Sequence, residues 1–341
     1  MGEIASMEKN HLISFEVKGF KKFTDLKVTN LGQFNLIVGD NNSGKTTLLE
    51  ALLADRDFDK FLTYLSDILF HIKRFSNFSG NFLSHYFSNI EDKYPQQILF
   101  KLTKGNQFEI IKLTRTAEDQ FFHLSSKNQE PLSDDNGSQV KIQGDKNRTF
   151  NFDSPFIPFG TLYSHELTRI YGKHIQLFVD KQDKLLDSLS LIIKNIRKIE
   201  VSAAYSYEPI LLISEKNKNR LLPLATYGDG TLKLFRILLS LFSSNHYNRA
   251  MIDEIDTGVH YSRLKDFLKS LLLVANEQHK QIFATTHSKE CIEYFKEALK
   301  ETGLENEGRI IRLADTKTGI RAYTMLFEEF ENALIAESEI R

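Results

Sequence analysis

Residues 39–46 read Gly-Asp-Asn-Asn-Ser-Gly-Lys-Thr, set between the apolar run Phe34-Asn35-Leu36-Ile37-Val38 and a stretch that places leucines at Leu48, Leu49, Leu52 and Leu53. A strand that ends in Gly-x-x-x-x-Gly-Lys-Thr and passes straight into a helix is a phosphate-binding loop in the context it requires. The glycines let backbone N–H groups close around phosphate oxygens, and the start of the helix adds favourable dipole charge. The pattern therefore assigns Gly39, Asn41, Asn42, Ser43, Gly44, Lys45, Thr46 and Thr47 to the phosphates of ATP. Lys45 is expected to reach the β- and γ-phosphates, and Thr46 to bind Mg²⁺ through its hydroxyl.

Bulk properties leave room for such a fold. The 341 residues suffice for one large domain or two ordinary ones, and 41% hydrophobic content supports a core. A formal net charge of −1 advertises no global field toward nucleic acid or an anionic membrane, so any such surface must be local. The only cysteine is Cys291, which excludes an internal disulfide framework and a cysteine-based metal site and fits a reducing compartment. No run of about 18 apolar residues occurs, and the start lacks the basic-then-apolar layout of a secretion signal. A cytoplasmic chain with no membrane partner is expected.

Along the chain, residues 11–38 alternate in short β-like runs, the third of which delivers the phosphate loop. Residues 58–90 are aromatic-rich and helix-periodic. Strand-like runs at 98–102 and 108–113, joined by Lys-Gly-Asn-Gln and preceded by Gln96 and Gln97, predict a β-meander. The polar stretch 130–150 predicts a mobile surface loop with short strands. Residues 164–200 read helical, with strands at 210–214 and 221–224. A helix over 231–242, a short strand at 250–252, a helix over 262–275 and a buried strand at 281–285 complete an alternating pattern. Alternation with phosphate chemistry at strand ends predicts a largely parallel α/β core with an antiparallel β subdomain and a helical lobe. Residues 11–55 and 200–300 read as a nucleotide-binding core. Residues 56–199 read as an inserted meander and helical lobe, and 301–341 as C-terminal strands and a helix, all in one head spanning 1–341.

Three further groups carry chemistry. Ala250-Met251-Ile252-Asp253-Glu254 is an apolar strand ending in two carboxylates. Asp253 would hold the Mg²⁺ shell, while Glu254, on the other side of the chain, would orient and deprotonate the attacking water. A second strand ends near His287, whose ring could reach the γ-phosphate or that water. Between phosphate loop and carboxylates, Tyr227-Gly228-Asp229-Gly230-Thr231 opens a helix; it reads either as a second anion site or as a plain connection capped by Thr231.

The order phosphate loop, glycine turn with helix, Asp253-Glu254 and a strand ending at His287 resembles the ATP-binding cassette (ABC) ATPases. Ile13-Ser-Phe-Glu-Val-Lys-Gly-Phe-Lys-Lys-Phe23 and Asp253-Glu-Ile-Asp-Thr-Gly-Val-His260 look more closely like its prokaryotic AAA-family branch, related to OLD and RecF/SMC-like heads. The resemblance covers residues 12–55 and 200–300. It implies a P-loop NTPase fold of ABC type and a head-to-tail homodimer, or higher homo-oligomer, with two ATPs at the interface. Gly228, Asp229, Gly230 and Thr231 would be the signature turn that closes on the partner's γ-phosphate. Asp256 would sit in the loop crossing the interface, and His287 would be the switch histidine. ATP then acts as glue, its charge neutralised only when two chains meet. The implied role is sensor or motor in a DNA-linked or anti-phage defence process, with a separate effector and with DNA as a candidate partner.

Three departures stand out. Gly228-Asp229-Gly230 replaces Ser-Gly-Gly, removing a hydroxyl and adding a carboxylate, so slow turnover is expected. That keeps open a nucleotide-gated scaffold that assembles with, or restrains, a toxin or nuclease. The glutamine of the Q-loop finds no position. About 50 residues follow His287, too few for a C-terminal Toprim nuclease of ordinary size. Locally, Lys18/Lys21/Lys22, Lys194/Arg197/Lys198 and Lys216/Lys218/Arg220 form basic clusters that read as solvated faces or DNA contacts. The aromatic stretch 58–87 reads as buried against the core or as a docking surface.

Overall fold

The computed structural model describes residues 11–55, 57–69, 85–87, 96–115, 122–127, 138–140, 154–159, 164–203, 209–243 and 248–336. Alternation in the first segment becomes a hairpin: β1 (Ser14–Phe20) buries Phe15, Val17 and Phe20, and β2 (Phe23–Val28) buries Phe23, Leu26 and Val28. Next, β3 (Phe34–Gly39) is buried at every position and feeds α1 (Lys45–Ala51). After α2 (Phe58–Asp67) comes the meander of β4 (Gln96–Lys104), β5 (Gln107–Arg115), β6 (Phe122–Lys127) and β7 (Ser138–Val140). A two-residue β8 (Phe156–Ile157) precedes α3 (Ser164–His174), α4 (Val179–Ser190), β9 (Ile196–Ser202), β10 (Ile210–Glu215) and β11 (Leu222–Pro223). The chain then runs through α5 (Asp229–Phe242), β12 (Arg249–Ile252), α6 (Tyr261–Glu277), β13 (Gln281–Thr285) and α7 (Lys289–Thr302). It closes with β14 (Gly308–Thr316), β15 (Gly319–Leu326) and α8 (Phe327–Ile335).

Among the described residues the strands form three sheets. The central one has the order β15-β14-β3-β13-β12-β8 and is parallel except for β15 at its edge. An antiparallel sheet runs β2-β1-β4-β5-β6-β7, and a small antiparallel sheet runs β11-β10-β9. The fold is thus mixed α/β, with a parallel-containing core sheet and antiparallel sheets beside it.

The period of two in the central strands sorts their side chains into two cores. Phe34, Leu36, Val38, Ala250, Ile252, Ile282, Ala284 and Ile310 face the helices α3 to α7. Ile37, Met251, Phe283, Ile311 and Leu313 face α1, α2 and the antiparallel sheet. A strand buried on both faces reads as a continuous apolar run, which is what β3 shows. Phe61, Tyr64, Tyr86 and Phe87 are buried in the second core, so these aromatics pack inward.

Several expectations change. The predicted helix over 164–200 is two helices followed by strand: Asn195 takes φ 63° and turns the chain into β9, whose Ile196, Ile199 and Val201 belong to a strand. An apolar run rich in β-branched residues satisfies either period, and only pairing with β10 decides it. The expected strand at 221–224 shrinks to Leu222–Pro223, because proline offers no N–H to a ladder and Leu224 already begins a 3₁₀ turn. Gln96 and Gln97 lie inside β4 instead of before it. The core is also divided differently in space. β1 pairs with β4 of the meander, while β8, β14 and β15 join the sheet that carries the phosphate loop, although they lie outside 11–55 and 200–300. Of the expected loop over 130–150, Ser138–Val140 is strand and the rest lies outside the described residues. Among the described residues no helix is long and apolar enough to cross a membrane.

Candidate functional site

The phosphate loop is built at the end of β3 between two parallel neighbours. Gly39 has φ 145°, and a Cβ there would lie 2.5 Å from the Leu313 carbonyl oxygen of β14 and 2.8 Å from Ser43 Oγ. Only glycine fits that approach. Asn42, at φ 65°, turns the loop, and Gly44 caps the start of α1. Asn41 and Asn42 are exposed, Ser43 and Gly44 buried, and Thr46 and Thr47 half-buried. Lys45 is 6% exposed and donates to the carbonyls of Gly39 and Asp40, both at 2.7 Å. Burial lowers its pKa from the ordinary lysine value, against the pull of Asp40, Asp253 and Glu254.

The second half of the site comes from β12, which ends one residue before Asp253. Thr46 Oγ1 donates to Asp253 at 3.1 Å, so residues separated by 207 positions meet at the mouth of the loop. Thr285, the last residue of β13, donates to the same carboxylate at 2.7 Å and accepts from the Glu254 N–H at 2.8 Å. Burial raises the Asp253 pKa, while the hydroxyls of Thr285 and Thr46 hold it down. Glu254 sits at φ 45°, a conformation costly for a residue with a side chain and one that gathers at functional sites. Its Oε2 accepts from Thr257 Oγ1 at 3.0 Å. Adjacent residues thus diverge, Asp253 toward the phosphate loop and Glu254 toward Thr257. Asp256 accepts from Thr286 Oγ1 at 2.7 Å.

The glycine turn packs on this loop. A Cβ on Gly230 would fall 2.5 Å from the Gly258 carbonyl oxygen, so that contact too requires glycine. The helix starts at Asp229 with Gly228 as its N-cap. The alternative with Thr231 as cap is therefore corrected: Thr231 is buried in the first turn and donates to the Tyr227 carbonyl at 3.1 Å. Gly228 and Asp229 face solvent. Tyr227 is tied back to β10 by donating to Glu215 at 2.6 Å. His287 lies two residues beyond the end of β13, exposed, and is not among the groups bonded around Asp253.

Three participants were missed in the sequence. Thr285 was read only as the end of a strand, though a polar residue closing the apolar run Ile282-Phe283-Ala284 was the available signal. Lys233, buried on α5, donates to the carbonyls of Asp253 (3.3 Å), Glu254 and Thr257 (3.5 Å). Its signal was a charge, shared only with Arg236, within the leucine-rich stretch 231–242. Lys22, in the turn after β1, donates to the backbone oxygen of Asn42 and to its Oδ1 at 2.6 Å. Of the three basic clusters, the first is largely spoken for, with Lys18 paired to Asp25, Lys21 to Glu50 and Lys22 to Asn42.

Known proteins resemble this chain at several levels. An "ATP/GTP phosphatase" of Helicobacter pylori is 26% identical over 345 residues, covering 88% of this chain and 91% of that protein. An uncharacterized protein, MJECL10, of Methanocaldococcus jannaschii is 27% identical over 149 residues, 42% of this chain and 59% of that protein. The fold is that of an SMC-type head. An SMC head solved with the C-terminal winged-helix domain of ScpA superposes with a TM-score of 0.57 at 13% identity, over 94% of this chain and 99% of that one. The SMC head domain of Thermotoga maritima does so with a TM-score of 0.51 at 14% identity, over 92% and 99%. Residues 34–293, from the strand before the phosphate loop to the helix after His287, match one family, and the chain belongs to it: "AAA domain, putative AbiEii toxin, Type IV TA system".

Proposed function

We propose that the chain binds ATP with Mg²⁺ at residues 39–47 and hydrolyses its terminal phosphate. The observation that carries this reading is the meeting of the Thr46 hydroxyl with the Asp253 carboxylate beside the buried Lys45. Hydroxyl and carboxylate are hard oxygen donors of the kind Mg²⁺ accepts alongside phosphate oxygens, so the residues fit the ion. The loop fits a triphosphate, since its glycine positions leave no room for side chains and Lys45 supplies a cation from within. The name of the Helicobacter relative supports nucleotide hydrolysis.

In this reading Lys45 exchanges its bonds to the Gly39 and Asp40 carbonyls for phosphate oxygens. Thr46 and Asp253 would hold Mg²⁺, which would supply positive charge against the β- and γ-phosphates. Glu254, directed away from Asp253 by its left-handed backbone, accepts the proton of the attacking water. Thr257 holds that carboxylate in place beforehand. His287 would contact the γ-phosphate only after reorienting from its exposed position.

The glycine turn, with Gly228 and Asp229 exposed and Gly230 packed behind them, and Asp256 would serve a second copy of the chain, each turn closing on the nucleotide of its partner. Family membership and the SMC-head fold support a paired head working with a separate effector in a defence or DNA-linked process. Phosphate release with Mg²⁺ should fall at least about a hundredfold in Lys45→Ala and in Glu254→Gln, with binding retained only in Glu254→Gln. Wild-type rates in both variants would refute the assignment. One observation favours a second reading, a slowly hydrolysing nucleotide-gated scaffold: the Asp229 carboxylate stands where an anion would have to approach. Unaided turnover above about 1 s⁻¹ would exclude it.

A further inference from the structure

Every residue of α5 from Thr231 to Phe242 is buried, and Lys233 is one of only two with a full charge. A lysine in such a place is costly unless its ammonium is hydrogen-bonded. Here its hydrogen bonds run to backbone: the carbonyls of Asp253, Glu254 and Thr257 converge on one Nζ. Those three oxygens span the five residues that carry both carboxylates assigned above.

The peptide after Glu254 needs such support. At φ 45° its backbone lies in a region that side-chain-bearing residues enter at a cost, and it persists only where neighbours over-determine it. Three bonds converge there: Thr285 Oγ1 accepts from the Glu254 N–H, while Lys233 and the Thr257 N–H both donate to its carbonyl. Thr257 is itself a member of the loop. Lys233 and Thr285 are the anchors from outside, one on the helix opened by the glycine turn and one on β13.

We propose that Lys233 is a positioning residue for hydrolysis: by gathering the carbonyls of Asp253, Glu254 and Thr257, it fixes the backbone from which Glu254 meets the attacking water. The proposal rests on the hydrolytic reading but makes a separate structural claim. Lys233 acts in this proposal through the carbonyls of Asp253, Glu254 and Thr257, so its loss should lower kcat and spare KM.

The test uses the full chain as wild type, Lys45→Ala, Lys233→Met and Lys233→Arg. Steady-state hydrolysis and amide hydrogen exchange are read on each. For Lys233→Met the expected result is kcat lower by about ten- to a hundredfold with KM for ATP within about twofold. Exchange at residues 254–258 should be about tenfold faster while β12 and β13 are unchanged. Lys233→Arg, which can still donate to several carbonyls, should keep kcat within about fivefold of wild type. Should Lys233→Met fail to fold, Lys233→Gln replaces it with the same expected direction. Wild-type kcat together with wild-type exchange in the neutral variant would overturn the proposal, as would a rise in KM alone. Hydrolysis by wild type that Lys45→Ala leaves intact would sink the hydrolytic reading, and the exchange data would still decide the role of Lys233.

Discussion

Lys45, Lys233 and Lys280 are each less than a tenth exposed, and what surrounds each ammonium differs. Lys45 and Lys233 are ringed by carbonyls, with carboxylates near enough to oppose the effect of burial. For Lys280, just before β13, burial and the nearby Lys181 charge bring the pKa from 10.5 to about 8. Between those two values the unfolded chain carries more protons at this residue than the folded one. Stability from Lys280 therefore rises with pH across that window, by up to about 1.4 kcal/mol per pH unit. Urea midpoints measured from pH 8 to pH 10 should climb less steeply in Lys280→Met than in wild type; equal slopes would show that the residue does not titrate there. The site residues differ in how far the sequence announced them. Gly39, Lys45, Thr46 and Asp253 follow from spacing and context, because phosphate chemistry fixes both. Thr285 and Lys233 act through backbone atoms and a hydroxyl, and such contacts leave no spacing to read.

The hairpin of β1 and β2 shows how an element can serve the site from outside it. Its turn carries Lys21, which pairs with Glu50 on α1 and lies 4.4 Å over the Tyr86 ring, and Lys22, which reaches Asn42 in the phosphate loop. Glu50 is fully buried, and Lys21 is its ion-pair partner there. Lys21→Met should destabilise the fold by about 3–5 kcal/mol in chemical denaturation, since a buried carboxylate would lose its cation. A change under about 1 kcal/mol would show that Glu50 is held by other means. Strands with alternation, such as β4 and the first half of β1, were legible from their pattern. Ile196 and Ile199 were not, because a dense apolar run fits helix and strand alike until a neighbouring strand claims its hydrogen bonds.

For the whole molecule, the exposed Gly228-Asp229 face and the open side of the phosphate loop set the expectation of pairing. Glu254→Gln, able to bind but not to hydrolyse, should elute near twice its monomer mass with ATP and Mg²⁺ and as a monomer without them. A single mass in both conditions would remove nucleotide-driven association from the proposal. The central sheet also orders events in time. β3 gains its neighbour β13 late in the sequence and its other neighbour β14 later still, and it is a β14 carbonyl that closes on Gly39. On a ribosome, the emerging chain displays its phosphate-loop residues long before residues 308–316 exist to flank them. In the proposed reading, affinity for ATP therefore awaits the synthesis of residues 308–316, which keeps a shorter nascent chain from committing to a nucleotide.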